Sequence, residues 1–175
     1  DGAIEARASV TGDPSAPALA VRVTSAGVLI NQEDLRDLSL SFDGTLKRES
    51  EIAADVDGTL SLNARLNGEA AQLATTLTTT AAGRLLDELT MSIAGARAEG
   101  RLAVRTDGLL DGRLTVDVPD LAPLARLALT DASGTISGTV TLSARDGEQH
   151  TDVDATVRQV SVPGVAIGFA DVDLS

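Results

Sequence analysis

The chain has 175 residues, with 26 acidic against 14 basic side chains, a formal charge of −12, no cysteine and two aromatic residues, both phenylalanine. That balance excludes a phosphate-backbone binder, which needs clustered lysine and arginine to replace counterions, and it excludes disulfides, zinc–thiolate sites and a cysteine nucleophile. Val, Leu, Ile and Ala must supply nearly all of the 43% apolar share, and without large rings to anchor an interior they favour a thin or open apolar layer over a thick one.

In chain order the sequence is alternation broken by turns. Ile4, Ala6, Ala8 and Val10 alternate with Glu5, Arg7, Ser9 and Thr11, a strand apolar on one face that stops at Gly12-Asp13-Pro14. Leu19, Val21 and Val23 alternate with Arg22 and Thr24, and Val28-Leu29-Ile30 leads into polar Asn31–Asp34. Leu35–Gly44 (LRDLSLSFDG) follows, and it returns 51 residues later as Leu86–Gly95 (LDELTMSIAG). Leu38/Leu89, Leu40/Met91 and Phe42/Ile93 hold the apolar places, and each copy closes on a glycine expected to turn the chain. A truncated copy ends the sequence, with Phe169, Val172 and Leu174 in the apolar places.

Between the two full copies, Ile52, Ala54 and Val56 alternate up to Asp57-Gly58, and Leu60, Leu62, Ala64 and Leu66 lead on to Asn67-Gly68. Both dipeptides predict hairpin turns, because a tight primed turn needs positive φ at two residues. Leu73, Thr75 and Leu77 form a weaker, Thr-rich strand expected near an edge or bend. Leu102 and Val104 precede a turn at Asp107-Gly108, and Leu114, Val116 and Val118 run up to Pro119. Asp120–Leu129 breaks the pattern. Leu121, Leu124 and Leu127 recur at helical spacing, Asp120 suits an N-cap and Pro123 falls in the first turn, which predicts a short helix. Val140, Leu142 and Ala144, a turn at Asp146-Gly147, Val153, Ala155 and Val157, and finally Val165, Ile167 and Phe169 complete roughly a dozen strands. The fold class is therefore all-β: one antiparallel array over residues 1–175 with a short helix near 120–129.

Nothing in the sequence assembles for catalysis. His150 is the one histidine and stands among Glu148 and Asp152, a solvated loop rather than a ligand set. Asp55-Val-Asp57-Gly58 has the flavour of a calcium loop but lacks the remaining ligands. The glycines form no phosphate-binding motif, and the serines and threonines lie in alternating strands rather than at a nucleophile elbow. No catalytic residue, metal or cofactor is expected. No apolar run reaches the ~18–20 residues of a spanning helix, and the start at Asp1 reads as part of a longer polypeptide with any signal or anchor outside it.

The hairpin phrases at Asp57–Gly68, Glu99–Gly108 and Ser137–Gly147, the helical Pro119–Leu124 (PDLAPL) and the motif at Leu35–Gly44 together resemble the bacterial TamB family (translocation and assembly module). That family sits among the AsmA-like and repeating β-groove proteins. The resemblance covers about two-thirds of the chain. It implies a long curved sheet folded as a taco-like half-pipe with an apolar interior, standing in the periplasm between the two membranes. It also implies a parent chain anchored in the inner membrane outside this segment, and carriage of phospholipid toward the outer membrane. Assistance to outer-membrane protein assembly beside a TamA-like barrel is a further implied role. Family motifs contain no catalytic residues to carry over.

The residues pose the same question without the family. A sheet of about a dozen strands, each apolar on one face, must have that face covered, since burial is worth roughly 25 cal/mol per Å². A second sheet, closure on itself, or a non-protein apolar guest would each serve. Small residues such as Ala6, Ala8, Ala54, Ala64 and Ala144 leave space rather than fill it. The candidate lining of an acyl-chain groove is Leu38, Leu40, Phe42, Leu60, Leu62, Leu89, Met91, Ile93, Leu102, Val104, Leu114, Val116, Val140 and Leu142. The alternation alone favours a sandwich core, and the resemblance reverses that order in favour of the groove. A scaffold recruiting partners by strand addition and a transmembrane barrel are the competing readings, the barrel disfavoured by its missing aromatic girdles.

Overall fold

The computed structural model describes residues 3–30, 33–47 and 55–174. Eleven strands follow one another: β1 (Ile4–Thr11), β2 (Ala18–Ile30), β3 (Glu33–Lys47), β4 (Asp55–Leu66), β5 (Glu69–Thr80), β6 (Gly83–Ile93), β7 (Ala96–Arg105), β8 (Leu110–Val118), β9 (Ser133–Arg145), β10 (Glu148–Val162) and β11 (Val165–Leu174). One helix, α1 (Ala122–Leu127), interrupts them between β8 and β9. The strands form a single antiparallel sheet, curved and unclosed, whose spatial order is the sequence order. With ~4.8 Å between strands, the sheet runs about 48 Å from β1 to β11.

Alternation in the sequence becomes two chemically distinct faces. Cross-strand pairs share a face, so Ala8↔Val21, Val21↔Phe42 and Phe42↔Leu60 lie on the apolar side, while Arg7↔Arg22, Arg22↔Ser41 and Ser41↔Ser61 lie on the polar one. The polar face is knitted by short contacts. The Arg22 guanidinium grips both carboxylate oxygens of Asp43 at 2.8 Å, and the Ser41 and Ser61 hydroxyls share a hydrogen bond of 2.6 Å.

The duplicated phrase encodes a bulge. Asp37 in β3 and Glu88 in β6 both hold φ near +50°, and the pairing register shifts beside each. Gln159 in β10 repeats the device, with a register shift between Arg158 and Ser161. One extra residue in a strand would ordinarily send every following side chain to the other face. In L-R-D-L, L-D-E-L and V-R-Q-V the bulge absorbs it, so Leu35 and Leu38, Leu86 and Leu89, and Val157 and Val160 stay on the apolar side. Bulges also bend and twist the strand that carries them, which curves the sheet.

Several expectations are corrected. Asp57-Gly58 is not a turn but the interior of β4, and Gly44 is not a turn but the interior of β3. The two glycines pair across the strands. Both sit in a tight crossing: a Cβ at Gly44 would meet the Asp57 carbonyl first and then Phe42 Cζ at 2.7 Å, and one at Gly58 would meet the Asp43 carbonyl and Gly44 Cα first and then Phe42 Cζ at 2.8 Å. The strand expected at Ile52 and Ala54 lies outside the described residues. The Thr-rich β5 is no edge; it pairs with β4 and β6 along its length, although its register does slip between Ala74 and Thr76. Phe169 stands opposite Arg158 on the polar face, 61% exposed, because Phe169–Leu174 pair with Val153–Arg158 in unbroken register and no bulge between Phe169 and Val172 brings that odd spacing back to the apolar side.

The tight turns at Asn67-Gly68 and Asp146-Gly147 have positive φ at both residues, and so has Ala94-Gly95. The helix spans less than expected. Asp120 Oδ1 accepts the Ala122 N–H at 3.0 Å, but the N-cap position itself belongs to Leu121.

Candidate apolar groove

The site is built from rows of side chains that run along the sheet, perpendicular to the strands. One row crosses all eleven: Ala6, Val23, Leu40, Leu62, Leu73, Met91, Ala98, Val116, Gly138, Ala155 and Val172, each paired with the next. It contains no polar side chain. A parallel row carries Val21, Phe42 and Leu60 on one side of the bulge at Glu88, and Leu89, Gly100, Leu114, Val140 and Val153 on the other.

All fourteen residues singled out from the sequence fall on this one face, from Leu38 and Leu40 on β3 to Val140 and Leu142 on β9. Leu73 and Val23, which belong to the same row, and Leu124 of the helix were not among them. The alternation of β2 and β5 and the helical spacing of Leu121, Leu124 and Leu127 were the available signals for these.

The polar intruders on the apolar face are satisfied by backbone. Thr75 is buried, and its hydroxyl donates to the Asp87 carbonyl at 3.0 Å; Ser25 is buried and donates to the Ala3 carbonyl at 2.9 Å. The face therefore presents no unmet hydrogen-bonding group at these two positions to a guest.

What the face lacks is a cover. Among the described residues, the buried apolar side chains are Ala64, Leu89, Ala94, Ala96, Val118 and Ala125, and no large side chain is fully buried. A second packed layer would bury Leu and Val side chains completely, as protein interiors do. Here β1 is exposed throughout, with Ile4 at 57% and Val10 at 60%.

The helix covers one end only. It leaves β8 at Val118, buries Ala125, and is tied to the start of β5 by Arg126 Nη2 and Glu69 Oε1 at 2.9 Å. Beneath it lies a trough of about 420 Å³ whose walls include Leu62, Leu73, Met91, Ala98, Val116 and Leu124. The opposite ends of β7 and β8 carry a charged turn. There the Arg105 guanidinium, hydrogen-bonded to Asp107, holds that carboxylate below its usual range, helped by the Leu109 N–H.

A second hollow of about 560 Å³, lined by Ala122, Arg126, Asp131, Ser133 and Ser161 among others, carries charged and hydroxyl groups where the trough is apolar. His150 sits on β10 opposite Ser143, exposed on the polar face. Among the described residues, no three acidic, histidine or cysteine side chains gather as a metal would require. Among the described residues, no helix is long and apolar enough to cross a membrane. The chain matches no protein-family model, no curated protein and no solved structure, so the chemistry of the groove rests on these residues themselves.

Proposed function

We propose that this chain is a lipid-conduit segment of the TamB type, whose apolar groove shields phospholipid acyl chains on their way between the inner and outer membranes through the periplasm. The observation that carries the reading is the unbroken apolar row across eleven strands, with no second sheet over it among the described residues. Each acyl CH₂ laid into such a groove gains about 0.8 kcal/mol without any sequence-specific contact. The alanines and glycines of the row, Ala98, Gly138 and Ala155, leave width for a chain between the bulkier Leu and Met positions.

The test is direct. Purified protein is extracted with organic solvent and the extract examined for phospholipid by mass spectrometry. Leu62→Arg, at the trough wall, should strip the lipid while the far-ultraviolet circular dichroism stays that of the parent. A lipid-free parent, or a Leu62→Arg variant that unfolds, would make the face a packed core and end the reading.

A further inference from the structure

The apolar face ends on a cation. Beyond the trough the row Leu77, Leu86, Leu102 and Gly112 runs strand to strand, and the next row out is Thr79, Arg84, Val104 and Leu110. Pairing keeps each row on one face, so Arg84 stands on the apolar side, at the end of β6 away from the helix. Arg22, Arg36, Arg101, Arg105 and Arg126 each hold a carboxylate. The Arg84 guanidinium is exposed and has no ion-pair or hydrogen-bond partner among the described residues. The neighbouring Thr79 hydroxyl is taken up by backbone, donating to the Val56 carbonyl at 2.9 Å and accepting the Val56 N–H at 3.1 Å.

A free guanidinium bordered by leucine and valine has a specific complement. Its planar fork of five N–H donors matches a phosphate two bonds at a time, and its apolar surroundings match the tails that a lipid phosphate carries. The length fits as well. Arg84 lies about 20 Å from Met91 in the trough wall, at ~3.3 Å per residue along β6 with the bulge discounted. Half a bilayer, headgroup region included, is about 20–22 Å deep. Between the two points the face offers Leu86, Leu89 and Leu102. A lipid with its phosphate at Arg84 lays its acyl chains over these leucines and ends them at the trough.

We propose that Arg84 is the headgroup site of the groove: its guanidinium binds the phosphate of a phospholipid whose acyl chains lie along β5 to β8 and end in the trough. The site rests on the conduit reading and gives the guest a direction, with its headgroup at the rim away from α1 and its tail ends beneath the helix.

In the test, the protein is loaded from neutral-detergent micelles holding equal amounts of dipalmitoyl phosphatidic acid and dipalmitoylglycerol, which share their tails and differ by the phosphate. The retained lipids are quantified by mass spectrometry. Arg84→Gln should lower the ratio of phosphatidic acid to diacylglycerol about fivefold, the worth of one basic side chain beside an anionic lipid, and leave diacylglycerol itself unchanged. Arg84→Lys, which keeps the charge, should keep most of the ratio. Arg113→Gln removes the same charge from the polar face, opposite Arg101 and Thr141, and should leave the ratio at the parent value. In the parent, rising salt should lower the ratio toward that of Arg84→Gln, because an exposed ion pair is screened; this arm needs no variant to fold. An unchanged ratio in Arg84→Gln, an equal fall in Arg113→Gln, or a parent ratio indifferent to salt would each overturn the headgroup site and leave the conduit reading in place. A parent that retains neither lipid ends both.

Discussion

The smallest unit that explains the fold is three residues on two strands. Phe42 reaches over Gly44 and Gly58, which pair across β3 and β4 and carry no side chain in its way. Replacing Gly58 with valine drives side-chain atoms into the Asp43 and Gly44 backbone and onto Phe42 Cζ. The expected cost is about 1–3 kcal/mol, the usual range for overpacking, read as a lower urea midpoint with unchanged slope. The same trio shows what sequence can and cannot tell. Asp57-Gly58 has the composition of a hairpin turn, and nothing local distinguishes it from Asn67-Gly68, which is one. The deciding contact comes from Phe42 on another strand. A second residue-scale expectation concerns Asp107. Its carboxylate is held low by Arg105, so this pairing is complete above the ordinary carboxylate pKa and is lost as pH falls through the lower folded value. The Leu109 amide, which donates to Asp107 at 3.1 Å, should lose protection on acidification through that value, its exchange being read as a ratio to the intrinsic rate at each pH. Asp107→Asn should show faster exchange already at neutral pH.

At the scale of the element, the bulge is what the repeated phrase specifies. Alternation made the strands legible, since Leu38, Leu40 and Phe42 sit on the face that period-two patterning assigns. The spacing L-x-x-L inside the same phrase breaks the period, and only the left-handed residue at Asp37 or Glu88 reconciles the two. That backbone state is costly for a side chain bearing a Cβ and nearly free for glycine. Glu88→Gly is therefore expected to be tolerated or to stabilise by up to ~1 kcal/mol, whereas Glu88→Val, β-branched in a left-handed site, should destabilise by about 1–2 kcal/mol. Thermal midpoints of the pair of variants check the sign. If both variants destabilise equally, the site is responding to loss of the Glu88 side chain and not to its backbone. The helix was legible for a simpler reason: Leu121, Leu124 and Leu127 with Pro123 leave few alternatives. Its role over one end of the trough was not, because Arg126 and Glu69 meet only once β5 to β8 are assembled.

For the molecule as a whole, every strand pairs only with its neighbours in sequence, so stability is distributed like that of a repeat array rather than concentrated in one core. Strand pairs at the middle are supported on both sides, and the buried side chains Leu89, Ala94, Ala96 and Val118 are on β6, the turn between β6 and β7, β7 and β8. The edges have no such support. Hydrogen exchange should accordingly fall into a gradient: slowest amides in β5 to β8, faster ones toward β2 and β10, and the fastest in β1 and β11, each opening locally rather than through global unfolding. A conventional two-layer core would give one common slow rate across the sheet instead. An apolar guest in the trough binds only the assembled face, so phospholipid should slow exchange in β4 to β8, where Leu62, Leu73, Met91, Ala98 and Val116 line it. Stabilisation follows the ratio of free lipid to its dissociation constant, about 2.7 kcal/mol at a hundredfold excess. That corresponds to roughly a hundredfold slower exchange for amides that open with the trough. Protection that rises uniformly over all eleven strands would point to lipid coating the outside, whereas a rise confined to the trough strands is what a guest inside the groove must produce.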